Sequence, residues 1–177
     1  ESEADLNLET IVSMIEPLNA VCREPGGPAG AAGQMNFSIK CSALTPFFDA
    51  TDPVETGRRL LPRLRTILRR AAAHDAFIHF DAEHYEVCDL TLDLVLKLLE
   101  EAEFSRTAGV GVVLQAYLRD SEERAERILD WCRRTKRTLT VRLVKGAYWD
   151  SEIIRAKQCG WAAPVYRVKS DSDASFE

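Results

Sequence analysis

The chain has 177 residues, of which 46% are hydrophobic and 29% are charged, and this composition is typical of a globular protein with a real core. Its net charge of −5 argues against a nucleic-acid-binding surface, so no nucleic acid contact is expected from this segment. No apolar run approaches the roughly 20 residues that span a bilayer, and the acidic first residues are not expected to be a signal peptide.

The cysteines are odd in number and lie far apart in the chain. No CxxC spacing occurs, so the sequence predicts neither a disulfide framework nor a structural zinc site. We expect reduced, mostly buried thiols in a cytosol-like compartment. The five residues concerned are Cys22, Cys41, Cys88, Cys132 and Cys159.

The first 34 residues are expected to be separate from the rest. Apolar residues at helical spacing, among them Leu8, Ile11 and Ile15, predict an amphipathic helix over residues 7–22. The stretch EPGGPAGAAG that follows is too rich in Gly, Pro and Ala to be regular. We therefore predict an N-terminal helix and a flexible Gly/Pro loop over residues 1–34, and a second unit over residues 35–177.

Strand-like and helical segments alternate after this loop. Strands are predicted over residues 35–41, 76–80, 110–114 and 139–144. Helices are predicted to follow them, ending near residue 73 and then covering about 86–103, 121–136 and 151–159, with an extended or irregular tail from Pro164. Two helix starts carry capping patterns, Asp52-Pro-Val-Glu55 and Asp120-Ser-Glu-Glu123.

Four successive strand–helix units predict an α/β fold with parallel strands and helical crossovers. Two architectures satisfy this pattern: a (β/α)8 barrel, of which this chain has about the first half, and an open doubly wound sheet. The glycine fingerprint that the second often carries after its first strand is absent.

Polar residues close each predicted strand: Lys40, Asp81, Gln115, and the pair Arg142 and Lys145. In a parallel barrel they would all emerge at the carboxyl-terminal mouth, where active sites of this fold lie. Taken singly, Lys40 has an ordinary interpretation as a lysine extended to solvent, and Asp81 as a turn cap. Arg142 is harder to explain, because its strand is otherwise apolar or hydroxylic and an inward guanidinium needs an accepting partner.

Small residues follow the fourth strand. Gly146 and Ala147 would let a planar ligand approach the backbone, and Trp149 could stack on a ring, although an aromatic residue there is also ordinary packing.

Two other enzyme classes use similar residues. His79, Asp81 and Glu83 would share a strand face and, with His84, resemble the ligands of a metal-dependent barrel hydrolase. Against this, the third histidine, His74, precedes the strand. A barrel-mouth lysine such as Lys145 could instead form a Schiff base.

The motifs resemble those of proline dehydrogenases. The stretches FSIKCSAL, FDAE and VVLQAY are similar to the first three strand motifs of that family, and RLVKGAYWDSEIIRAKQ, followed by PVY and Lys169, is similar to the fourth strand and helix. The resemblance covers approximately Asn36 to Glu177. It implies a flavin-binding (β/α)8 barrel with FAD as cofactor and no catalytic metal.

The resemblance also implies roles for residues near the reacting atoms. Lys40 would pair with the substrate carboxylate, and Asp81 would belong to the catalytic network under the flavin. Ala82 would touch the flavin ring through its backbone, Gln115 would hydrogen-bond the ring, and Arg142 would lie near its N5 atom.

For the rest of the cofactor, the resemblance implies that Lys145, Gly146 and Ala147 bind FAD, with Trp149 packing nearby. Arg167 stands where the family often has threonine, so contacts at the adenine end do not carry over.

By resemblance, the expected activity is oxidation of L-proline to 1-pyrroline-5-carboxylate, with electrons passed to a quinone. A fused aldehyde dehydrogenase domain, homo-oligomerisation and a cytoplasmic location peripheral to the inner membrane are compatible with it. Strands five to eight would be missing, so we expect this segment to be a partial catalytic domain, inactive alone because its strand edges and apolar interior are uncovered. A non-catalytic fragment or scaffold remains the alternative.

Overall fold

The computed structural model describes residues 2–24, 35–107 and 109–177. Strands and helices alternate after an N-terminal helix. The helices are α1 Ser2–Arg23, α2 Pro53–His74, α3 Tyr85–Leu99, α4 Ser121–Thr135, α5 Trp149–Cys159 and α6 Lys169–Phe176. The strands are β1 Asn36–Ile39, β2 Phe77–Phe80, β3 Val110–Gln115 and β4 Thr140–Val144. Short 3-10 helices lie at Cys41–Leu44 and Ala102–Phe104.

The four strands are all parallel and lie in the order β1-β2-β3-β4. Register pairs Ile39 with Phe80 and Phe80 with Val112, and these side chains are buried. Since side chains alternate along a strand, the neighbouring row belongs to the opposite face of the sheet. That row includes Ser38 and His79, which are also register partners.

The hydrophobic core lies between the first face of the sheet and helices α1 to α4. Helix α2 contributes a buried stripe at spacings of three and four residues, which the helical period aligns on one side. Full burial of one such leucine stabilises the fold by roughly 1.5–3 kcal/mol. The stripe consists of Leu60, Leu64, Ile67, Leu68 and Ala71.

Helix α1 belongs to the same core, because Ile15 is fully buried in it. Asn19 joins three elements: its amide nitrogen donates to the carbonyl of His74 at the end of α2, and its Oδ1 accepts from the Met35 amide at 3.2 Å, just before β1. The predicted Gly/Pro loop lies outside the described residues apart from Glu24.

The helix starts confirm one capping prediction and correct the other. The Asp52 side chain accepts from the Glu55 amide at 3.0 Å, and Pro53 occupies the first turn of α2. The Asp120 side chain makes no capping bond to α4. Its carboxylate instead accepts from the Tyr85 hydroxyl of α3 at 2.9 Å and from Arg124, which lies one turn into α4 itself.

Several predicted boundaries are wrong. The N-terminal helix predicted over residues 7–22 begins at Ser2, and the strand predicted over residues 35–41 ends at Ile39. The predicted helix over 86–103 ends at Leu99, and a 3-10 helix follows at Ala102–Phe104. The tail is not irregular throughout, because residues 169–176 form α6. Its side chains are weakly amphipathic, so the sequence carried little periodic signal for this helix.

The second face of the sheet is open, as the exposure of Ser38, Thr140 and Arg142 shows. A doubly wound sheet would have helices on both faces, whereas a barrel places its helices outside and closes the other face around an interior. Helices on one face of a parallel sheet are therefore the arrangement expected of a (β/α)8 barrel. Its inner face is more polar than we predicted, since it carries Asn36, His79 and Asp81 as well.

Candidate functional site

The carboxyl ends of the four strands lie at one edge of the sheet, because all four run parallel. Gln115 ends β3, while Lys40, Asp81 and Lys145 directly follow the other three strands. Loops at this end can change without disturbing the sheet, which is why barrel enzymes build their sites there.

Asp81 and Arg142 are in direct contact. The guanidinium of Arg142 donates to the Asp81 carboxylate and, at 3.2 Å, to the hydroxyl of Ser38. The Asp81 backbone is fixed by its amide, which donates to the carbonyl of Ile39 at 2.9 Å. The side chains are 45% and 23% exposed for Arg142 and Asp81, so both remain accessible from the open face. Asp81 is thus the accepting partner that an inward Arg142 requires.

Gln115 is buried and its amide is oriented by the β2 loop. Its Nε2 donates to the carbonyl oxygen of Glu83 at 2.9 Å and lies 3.7 Å from the Cys88 sulfur. Burial raises the pKa of the Cys88 thiol to about 12, so this neighbour is a neutral thiol rather than a nucleophile. Ala82, half-buried, directly precedes Glu83.

Lys145 contacts the C-terminal helix. Its ammonium pairs with the Asp173 carboxylate in α6 and lies 5.6 Å from the centre of the Phe176 ring. Asp173 also accepts from Lys169 at 2.6 Å. Hydrogen bonds from these two lysines lower the pKa of Asp173, which keeps its carboxylate charged.

Gly146 is required by both conformation and space. Its φ is +136°, which side chains of L-residues rarely adopt, and an added Cβ would lie under 3.0 Å from the ring of Tyr117. The Cβ side of this glycine therefore faces Tyr117 rather than an open ligand site. Ala147 is exposed, and the Trp149 indole donates to the carbonyl of Tyr166 at 2.8 Å.

Lys40 lies exposed at the edge, in extended conformation before the 3-10 helix. Its carbonyl accepts from the Ala43 amide at 3.2 Å. Within residues 2–24, 35–107 and 109–177, its ammonium has no hydrogen bond or ion pair, so it is available to an anionic ligand.

The side chains of the alternative metal site do not converge. His79 Nδ1 lies 2.9 Å from the Asn36 amide oxygen, Asp81 pairs with Arg142, and Glu83 accepts from Ser42. In the described part of the chain, no group of three or more His, Cys, Asp or Glu could hold a metal ion.

The Schiff-base alternative needs a desolvated lysine. The Lys145 side chain is 52% exposed and ion-paired, so its surroundings do not provide that activation.

Sequence reasoning missed four residues that shape this edge. Glu83 was considered only as a metal ligand, and Ser38 was passed over although it precedes Lys40 by two positions on the same strand face. Tyr117 and Asp173 carry no local signal, because their contacts with Gly146 and Lys145 depend on packing between distant segments.

Comparison with known proteins identifies the chain's relatives. The family model for proline dehydrogenase matches residues 1–177. The bifunctional protein PutA of Escherichia coli (strain K12) is 36% identical over 167 residues, which are 94% of this chain and 13% of that protein. The mitochondrial proline dehydrogenase 1 of Drosophila melanogaster is 32% identical over 115 residues, which are 63% of this chain and 16% of that protein.

Solved structures agree with these relatives. Proline utilization A from Bdellovibrio bacteriovorus matches with a TM-score of 0.91 and 33% identity, covering 99% of this chain and 19% of that one. Proline utilization A from Bradyrhizobium japonicum matches with a TM-score of 0.89 and 31% identity, covering 99% and 18%. These proteins have (β/α)8-barrel proline dehydrogenase domains, which confirms the predicted fold class.

The fold and its relatives thus define an oxidoreductase of the (β/α)8-barrel class. The chain belongs to the proline dehydrogenase family. It spans about one eighth to one fifth of the length of the relatives named above. No helix within residues 2–24, 35–107 and 109–177 is long and apolar enough to cross a membrane.

Proposed function

We propose that the complete protein containing this chain oxidises L-proline to 1-pyrroline-5-carboxylate with FAD as its cofactor and a quinone as electron acceptor. Family membership supports the substrate and the reaction type. The observation that carries the proposal is the Asp81–Arg142 pair, a charged couple left accessible on the open face of the parallel sheet, where Asp81 directly follows β2. N-propargylglycine, which inactivates the Bdellovibrio bacteriovorus protein, is like proline a secondary-amine amino acid.

The donor set fits a flavin. Arg142 keeps N–H groups beyond those used by Asp81 and Ser38, since a guanidinium has five. Within the described residues the Gln115 side-chain oxygen has no hydrogen-bond donor and would accept from a ring edge, and Lys145 adds a cation after β4. Fixed cations stabilise the negative charge that a flavin gains on reduction, without reorganising during transfer. We assign Ala82, Gly146, Ala147 and Trp149 to its surroundings.

In the reaction, the C5–H and N–H bonds of proline break and a C=N bond forms. Bound FAD would supply the acceptor for the two electrons and two protons that leave, and a quinone would take them up in turn as the quinol. Lys40 would hold the proline carboxylate, which orients C5. Asp81 would keep the Arg142 guanidinium in one position, because the pair is a charge-assisted hydrogen bond.

We further propose that the four strand–helix units act only together with four more. The relatives are much longer than this chain, and a barrel site takes residues from many strands. A fused aldehyde dehydrogenase domain and oligomeric assembly, by analogy with the PutA relatives, and a cytoplasmic location near the inner membrane belong to the same proposal.

The test is proline-dependent bleaching of the flavin under anaerobic conditions in the complete protein. Wild type should carry flavin and bleach with L-proline. Arg142→Met should slow bleaching about 100-fold, the scale seen when one stabilising donor is removed from a transition state. Arg133→Met is a matched control, because Arg133 lies exposed on α4 and pairs only with Asp130 among the described residues. A colourless wild-type protein that contains stoichiometric metal would refute the proposal, as would bleaching unchanged by Arg142→Met.

A further inference from the structure

A buried carboxylate connects three of the strand ends. Glu83 is 7% exposed and lies two residues after Asp81. Its Oε1 accepts from the Ser42 amide at 3.1 Å, and its Oε2 accepts from the Ser42 hydroxyl. Its backbone carbonyl accepts from Gln115 Nε2 at 2.9 Å. Glu83, which lies in the loop after β2, therefore contacts both the loop after β1 and the end of β3.

The partners of this carboxylate are unusual for the chain. Most acidic side chains with partners here face arginines on the protein surface, whereas Glu83 has no cationic partner among the described residues. Removing a carboxylate from water is unfavourable unless hydrogen bonds replace its hydration. Hydrogen bonds to a charged group are stronger than those between neutral groups, so the two from Ser42 restrain the loop that carries them.

That loop carries Lys40. Ser42 follows Lys40 by two residues, within the 3-10 helix that Lys40 precedes. The Lys40 side chain has no restraint of its own in the described part of the chain, so its position depends on its backbone. The backbone is held on one side by β1 and on the other by the Ser42–Glu83 contacts.

We propose that Glu83 is a positioning residue: through Ser42 it sets the Lys40 ammonium relative to the Asp81–Arg142 pair and so determines affinity for the substrate carboxylate. This inference rests on the proposed function. Glu83 would not touch the substrate. Loss of the Glu83 carboxylate should weaken binding of the substrate carboxylate. It should leave the rate of oxidation of bound proline nearly unchanged, because Asp81 and Arg142 keep their own contacts.

The experiment uses the complete flavin-containing protein and its variants Glu83→Gln, Ser42→Ala and the double variant. Calorimetry with a cyclic ether carboxylate, a proline analogue without the amine, gives the dissociation constant. Glu83→Gln should raise it about fivefold and Ser42→Ala about threefold, as expected when charge-assisted bonds are weakened. The double variant should be no worse than about fivefold, because both changes remove one interaction. In each variant, KM for proline should rise by the same factor as the dissociation constant of the analogue, while kcat stays within about twofold of the wild-type value.

Two controls separate positioning from general damage. Ser42→Thr keeps the hydroxyl and should restore wild-type affinity. Glu86, three residues after Glu83, is an exposed acid that pairs with Arg155. Glu86→Gln should therefore leave the affinity for the analogue unchanged. Hydrogen exchange of the amides in residues 41–44, measured without ligand, should be faster in Glu83→Gln and Ser42→Ala.

The outcomes are distinguishable. Unchanged exchange in both variants overturns the restraint itself. Faster exchange with unchanged affinity overturns the positioning role, and equal losses in kcat would indicate damage to the reaction centre instead. If Glu83→Gln does not fold, the hydrogen exchange and analogue affinity of Ser42→Ala test the proposal by themselves. A wild-type protein that neither binds the analogue nor bleaches with proline refutes the proposed function and the substrate role with it, while hydrogen exchange still decides whether Glu83 restrains the loop.

Discussion

The guanidinium of Arg142 in β4 meets the carboxylate of Asp81 after β2, with β3 lying between their strands. Both side chains are partly exposed, so the pair should contribute no more than about 1 kcal/mol to stability. Its importance is therefore positional. It places a cation and an anion together on the open face of the sheet, with Ser38 of β1 as a further contact.

Asp81→Asn should separate stability from activity. The free energy of unfolding should change by less than about 1 kcal/mol, because the pair is solvent-screened. Flavin bleaching by proline should slow about 100-fold, because Arg142 loses the charge that fixes it. Denaturant titration and anaerobic absorbance measure the two effects. Asp130→Asn, at the exposed pair with Arg133, is the control and should leave both quantities near wild type. Equal bleaching in Asp81→Asn and wild type would contradict the assigned role.

Gly146→Ala should destabilise the protein by roughly 3 kcal/mol. Strain at its positive φ and overpacking against Tyr117 each cost about 1–3 kcal/mol. Gly160→Ala is a matched comparison, because Gly160 also has a positive φ of +70° but nothing within 4 Å of an added Cβ. That variant should lose only about 1 kcal/mol, from conformation alone. Equal losses of unfolding free energy in the two variants would show that the Tyr117 contact does not matter.

His79 should make stability fall on acidification. Burial, and then the positive charge of Arg142, lower the pKa of this imidazole, with Asp81 acting in the opposite direction. The fold thus favours neutral His79. Neutral His79 contributes fully to the free energy of unfolding at pH values above the pKa of about 6.5 that histidine has in the unfolded chain. This contribution is lost as the pH falls below about 6.5 and through the lower pKa of the folded state.

Denaturant titrations from about pH 8 to pH 5 check this dependence on His79. Wild type should lose stability relative to His79→Leu over the acidic part of this range. Parallel curves for the two proteins would mean that His79 does not titrate differently in the folded and unfolded states.

Lys145→Met should weaken FAD binding about tenfold, equivalent to about 1.4 kcal/mol, because a cation after β4 is lost. Quenching of flavin fluorescence on titration of the apoprotein gives the dissociation constant. Lys97→Met is the control, since Lys97 is exposed in the last turn of α3. Asp173→Asn, which frees Lys145 from its partner, should change FAD affinity more than Lys97→Met does. FAD affinity that is the same in all three variants would remove Lys145 from the cofactor site.

The strand–helix alternation could be predicted because its signals are local. Residue spacing alone predicts the buried stripe of α2, the Asp52 cap and the apolar run of β3. Helix α6 escaped prediction because its amphipathic pattern is weak, and the Asp120 cap failed because Arg124 and Tyr85 compete for the carboxylate.

By itself, the sequence placed Lys40, Asp81, Gln115 and Lys145 at the strand ends, and parallel strands bring these ends to one edge. Arg142, also predicted to close the fourth strand, lies in the middle of β4. Only the tertiary structure decided their partners. Arg142 contacts Ser38, 104 positions away, and Glu83 turned out to contact Ser42 and Gln115 rather than a metal. The physical reason is that backbone periodicity depends on neighbouring residues, whereas a side chain's hydrogen bonds depend on which distant segments the packed core brings within about 3 Å.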